Sequence, residues 1–153
     1  GAQNGVDRAT ERCDCRRCSE SEMIGLDTNV LVRYIMQDDA LQAAKATSLL
    51  ENLTADTPGW ISLVSIVELV WVLAAAYGLG RDQILDALEA LLSTKELRVE
   101  RAEVAWKALR ACRSAKADFA DCLISSCATS SGCERIMTFD RGAAKYAGMS
   151  LIA

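Results

Sequence analysis

The sequence predicts an α/β domain in which a mainly parallel sheet is covered by helices on both faces. Three observations carry this. From Met23 onward, short apolar stretches alternate with helical ones, the βαβ pattern that builds parallel sheets. The length of 153 residues suits one domain. A chain of about 150 residues buries roughly 68–70% of its unfolded surface, so a core forms without metal or disulfide staples. Finally, acids fall where strands end, and ligands of open parallel sheets bind beyond that carboxyl edge.

Taken in order, Met23–Leu26 reads as a buried strand ending at Asp27. Asn29–Met36 and Ala40–Leu53 read as helices, the second with Leu41, Ala44, Ser48 and Leu49 along one face. Thr54–Gly59 is a loop holding the single proline, Pro58, and Trp60–Leu63 a short strand. Ile66–Tyr77 is a strongly apolar helix stopped at Gly78, where glycine tolerates the left-handed turn. Arg81–Ser93 is amphipathic, with Ile84, Leu85, Leu88, Leu91 and Leu92 on its apolar face. An edge strand, Leu97–Glu100, precedes the amphipathic helix Ala102–Cys112. A small-residue helix, Phe119–Thr129, breaks at Gly132. The strand Arg135–Phe139 ends in Asp140, and a helical turn through Tyr146 leads to a last strand, Met149–Ile152.

The chain carries no histidine, which removes the usual general base, the Ser-His-Asp triad and His-containing zinc sites. A net charge of −4 argues against broad electrostatic binding of nucleic acid. It leaves room for a nuclease whose bound metal supplies positive charge locally. Residues 1–22 differ from the rest: they are polar and hold Cys13, Cys15 and Cys18. They read as a non-native or disordered extension, with residues 23–153 as the domain. Three thiols without a fourth ligand make a poor zinc site. Cys112, Cys122, Cys127 and Cys133 lie in or beside helices and read as small buried hydrophobes. The apolar run Ile61–Gly80 is interrupted by Glu68, Gly78 and Gly80, too broken to span a membrane. The expected location is the cytoplasm.

The acids stand out by position. Asp27 and Asp140 end strands, Glu68 interrupts an apolar helix, and Asp118 and Asp121 are at i, i+3 near a helix start. That spacing puts the last two on one face, about 5–6 Å apart at their β carbons. Gathered without a counter-ion, such carboxylates raise one another's pKa. A hard cation with oxygen ligands relieves this, magnesium or manganese being the natural choice. Each acid also suits a helix cap. Ser65 and Glu68 fit a capping box, while Asp27, Asp118 and Asp140 fit N-caps. Independent capping explains each acid singly better than it explains their joint placement.

Four segments resemble the motifs of the PIN-domain family. Met23-Ile-Gly-Leu-Asp-Thr-Asn-Val-Leu is similar to its opening, Ser65-Ile-Val-Glu-Leu to its second acidic motif, Ala117-Asp-Phe-Ala-Asp-Cys to its third and Met137-Thr-Phe-Asp-Arg to its fourth. Their order and spacing match over essentially all of Met23–Ala153, and the third motif looks most like that of the VapC toxins of toxin–antitoxin pairs. The resemblance implies a three-layer α/β/α sandwich with a central, mainly parallel sheet of four to five strands. It implies an endoribonuclease needing Mg2+ or Mn2+, with Asp27, Glu68, Asp121 and Asp140 as the acidic metal-binding quartet and Asp118 as an extra acid. Thr28, Asn29 and Thr138 match polar neighbours that orient ligands or water. The implied partners are an RNA substrate, a small cognate antitoxin and a second copy of the chain in a homodimer.

In such a scheme a metal-activated water attacks the phosphodiester, with Glu68 orienting or deprotonating it. Arg33, Lys116 and Arg141 lie near the acidic motifs in sequence and are candidates for phosphate contacts. The helices Ile66–Tyr77 and Arg81–Ser93 are candidates for a partner surface. Two rival readings are a non-catalytic PIN-like protein- or RNA-binding module and an acidic-pocket magnesium phosphatase. Asp27-Thr28-Asn29 lacks the second aspartate that the phosphatase would place two residues on.

Overall fold

The computed structural model describes residues 22–153. The extension assigned to residues 1–22 therefore lies, apart from Glu22, outside the described residues, together with Cys13, Cys15 and Cys18. Among the described residues the strands are β1 (Ile24–Gly25), β2 (Gly59–Ile61), β3 (Leu97–Val99), β4 (Met137–Thr138) and β5 (Ser150–Leu151). Between them run α1 (Thr28–Met36), α2 (Ala40–Glu51), α3 (Leu63–Ala75), α4 (Arg81–Ser93), α5 (Ala102–Ser114), α6 (Phe119–Ser130) and α7 (Arg141–Tyr146). The three-layer α/β/α architecture expected from the sequence is present.

Every recorded strand pair is parallel. The strands form a three-stranded sheet of order β1-β2-β3 and a separate two-stranded sheet of β4 and β5, where the sequence predicts one sheet of four to five strands. Gly59 lies centrally, opposite Ile24 on one side and Leu97 on the other. Leu97–Val99 is an edge strand, as the sequence predicts. The fully buried side chains Leu31, Ile61, Ile66, Leu69, Leu73, Leu85, Leu88, Val104 and Leu109 join sheet and helices in one core.

Helix α3 starts at Leu63, ahead of the expected Ile66, because the Ser62 hydroxyl accepts the Ser65 N–H at 3.1 Å and takes the cap. Its far end closes through Gly78, at φ 64°, where the Leu79 N–H reaches the Leu73 carbonyl. That left-handed stop turns the chain into α4.

Candidate active site

The start of α6 and the end of β4 place Asp118 and Asp140 within electrostatic reach of Asp121. Asp118 is the N-cap of α6 and Asp121 lies in its first turn. Asp140 follows β4 and caps α7. Burial, then the neighbouring charges of Asp118 and Asp140, hold the Asp121 carboxyl above the usual carboxylate range. Asp121 is half-buried, whereas Asp118 and Asp140 are exposed.

Asp27 stands beyond β1 as the N-cap residue of α1, exposed and with no side-chain cap bond. Glu68 is exposed on α3. It borders an apolar groove of about 900 Å3 whose far wall is α6, including Ala120 beside Asp121. Glu68 thus shares a groove with the residue before Asp121, while Asp27 stands just past the end of β1. Among the described residues no three acids or thiols stand close enough together to form a ready-made metal cluster. The donor chemistry fits a hard divalent cation: the group offers carboxylate oxygens only, and the charges of Asp118 and Asp140 oppose ionisation of Asp121.

Most of the capping roles open to these acids are not taken. Ser62, not Ser65, caps α3, which moves Glu68 well inside the helix and out of any capping box. Asp118 and Asp27 cap their helices by position but accept no cap hydrogen bond. Asp140 alone does so, its Oδ1 accepting the N–H groups of Gly142 at 2.6 Å and Ala143 at 3.0 Å. The side chains of Asp27, Glu68, Asp118 and Asp121 are therefore left without helix-capping duty.

The polar neighbours divide. Thr28 is buried at 2% exposure while Asn29 is exposed. The Thr138 hydroxyl accepts the Asp140 N–H at 3.0 Å, so it shapes the turn that presents Asp140. Arg141 and Lys116 are exposed and form no ion pair among the described residues. Arg33 does not fit its phosphate-binding candidacy: its guanidinium is committed to Asp38 at 2.9 Å, Gln42 at 2.7 Å and the Tyr77 hydroxyl at 3.2 Å.

Two residues near the acids are not singled out by sequence reasoning. Phe139, between Thr138 and Asp140, is 80% exposed, a large aromatic face held by hydrogen bonds on either side. Its signal in the sequence was an aromatic beside a strand-end acid, which reads equally well as strand core. Arg81 reaches across from α4 to the segment before Asp118, with no local signal of that reach. The cysteines follow expectation in part: Cys112 and Cys122 are buried, Cys127 half-buried and Cys133 exposed. Burial pushes the Cys122 thiol up to about 11, which keeps it protonated and unreactive.

The sequence profile of the PIN domain matches residues 24–149. No curated protein matches the sequence.

Proposed function

We propose that this chain, which belongs to the PIN-domain family, is a divalent-metal-dependent endoribonuclease acting in the cytoplasm as the toxin of a toxin–antitoxin pair. Membership supports a nuclease that hydrolyses nucleic-acid phosphodiester bonds. RNA as substrate, Mg2+ or Mn2+ as cofactor and the toxin role are the finer reading. The observation that carries it is the grouping of Asp118 and Asp140 around Asp121, whose carboxyl is held above the usual carboxylate range by burial and then by their charges, while most of the acids do no capping work.

Asp121, Asp140, Asp27 and Glu68 are the residues that would hold a divalent cation, with Asp118 adding charge beside Asp121. When bound, a divalent cation supplies a water of lowered pKa and neutralises charge on the phosphate. Glu68, exposed at the rim of the groove, orients the attacking water and accepts its proton, a task that falls to a carboxylate in a chain without histidine. Thr28 and Asn29 support Asp27 from the first turn of α1, and Thr138 holds the Asp140 turn. Arg141 and Lys116 meet substrate phosphates. Phe139 offers a face on which an unpaired base stacks, the usual way proteins engage single-stranded RNA.

The partners follow from the apolar groove. Val64 and Trp71 on α3 and Ile124 on α6 are 73%, 67% and 54% exposed, and a surface of that kind marks an interaction site. We assign it to the antitoxin and to a second copy of the chain. Helix α4 is not part of this surface, because its apolar face is turned into the core through Ile84, Leu85, Leu88 and Leu91.

The test is cleavage of a structured RNA and an unstructured one with magnesium, with manganese and with chelator. Cleavage is expected with metal and not with chelator. Asp121→Asn and Asp27→Asn are expected to lower it by at least about a hundredfold, since even outer-sphere partners of metal ligands typically cost 10–100-fold. Cleavage by Asp121→Asn at the wild-type rate would sink the scheme. Hydrolysis of a small phosphoester without RNA cleavage would favour a phosphatase.

A further inference from the structure

Arg81 opens α4, where a cation faces the positive end of the helix dipole and is locally disfavoured. Its side chain leaves its own helix. One guanidinium nitrogen donates to the Ala117 carbonyl at 2.5 Å, and the other donates to the carbonyls of Ala115, at 2.6 Å, and Cys112. These carbonyls belong to the last turns of α5, its C-cap residue and the residue just before Asp118. The Ala117 carbonyl also accepts the Cys112 thiol at 3.3 Å. A cation at the carbonyl end of α5 is favoured by that helix's dipole as much as it is disfavoured at the start of its own. The planar guanidinium fork spans several acceptors at once, which a lysine ammonium cannot match.

Arg81 and Asp118 border the same small hollow of about 210 Å3 with Cys112 and Phe119. They form no ion pair among the described residues, because the guanidinium donors face backbone oxygens. The α5–α6 connection is thereby pinned while the Asp118 carboxylate is left unneutralised.

We propose that Arg81 is a positioning residue for the acidic site: it fixes the backbone from Cys112 to Ala117 and so sets where Asp118 and Asp121 stand. This rests on the reading that those acids serve metal-dependent hydrolysis, and it adds a residue on a different helix, outside the acidic motifs. Loss of the fork lets the start of α6 drift, so transition-state geometry suffers while remote RNA contacts persist.

The experiment compares the full-length wild type with Arg81→Ala and Arg81→Lys, reading kcat, KM, the manganese concentration for half-maximal activity, circular dichroism and the melting temperature. For variants folded at the assay temperature, kcat is expected to fall on the order of tenfold or more, with KM within about twofold, the pattern of an interaction felt in the transition state. The manganese requirement is expected to rise. Guanidinium at low millimolar concentration is expected to restore part of the Arg81→Ala kcat without moving its melting temperature, and to do nothing for Asp121→Asn. A folded Arg81 variant with wild-type kcat and metal requirement overturns the proposal. A variant that folds only with added guanidinium and then cuts at the wild-type rate also overturns it, making Arg81 a stability element alone. A wild type that cuts no RNA removes the functional reading instead, a result visible before any variant is compared.

Discussion

Arg33 shows how neighbours decide what a charged residue does. In sequence it stands six positions beyond Asp27 and suits a phosphate contact. In the fold its guanidinium is bound by Asp38, and the Tyr77 hydroxyl donates to the same carboxylate at 2.7 Å. The hydrogen bond from Tyr77 and that from Arg33 hold the Asp38 carboxyl below its usual range. A carboxyl depressed in the folded state adds stability that is present above its unfolded value, about 3.9, and is lost as pH falls through the folded value. The melting temperature of Asp38→Asn is therefore expected to lie below that of the wild type at neutral pH, the gap closing in acid. Thermal melts from pH 7 down to pH 2.5 check this, and a gap constant over that range would count against the network. The identities of the acids were legible in the sequence, since the residues that suit metal ligation are visible as types. Their capping roles were not. Whether an aspartate caps depends on its rotamer and on where the helix begins, and for Glu68 that was settled by Ser62 outcompeting Ser65.

At the level of elements, helices were more legible than strands. A 3.6-residue period repeats often enough in Arg81–Ser93 to fix both ends of α4. Strands of two or three residues carry almost no period, and their partners lie tens of residues away. This is why the pairing of the strands as three and two was not readable. The sheet does contain one position with little freedom. A Cβ added at Gly59 would come within 2.8 Å of Leu53 and 2.9 Å of both Leu26 and Leu97. The terminal methyls of leucines can move, but here they close in from the residue after β1, from β3 and from the α2–β2 connection together. Gly59→Ala is expected to cost about 1–3 kcal/mol, the usual range for overpacking a filled core. Urea unfolding of the two proteins checks this: the midpoint falls while the slope is kept. An unchanged midpoint would show that the leucines repack freely.

For the whole molecule, alternation of strand and helix sufficed to give the layers, because each amphipathic helix must bury its apolar face against another element. What alternation left open was which apolar faces stay uncovered. Both α3 and α4 looked equally fit as partner surfaces, yet packing took the apolar face of α4 inward, while α3, buried through Ile66, Leu69 and Leu73, keeps a second apolar face outside, with Trp71 at the groove. That placement has an optical consequence. The chain holds three tryptophans. Trp71 is 67% exposed and Trp60 37%, while Trp106 is packed against the core. With Trp60 and Trp106 replaced by phenylalanine, emission from Trp71 would report on the groove alone. A bare groove gives the red-shifted, acrylamide-quenchable fluorescence of indole in water. A second copy seated there is expected to shift emission to the blue and to protect it from quencher as protein concentration rises. Emission that stays red and quenchable at every concentration would leave the groove to the antitoxin. The indole that makes this face sticky also makes its occupancy visible, with no label attached.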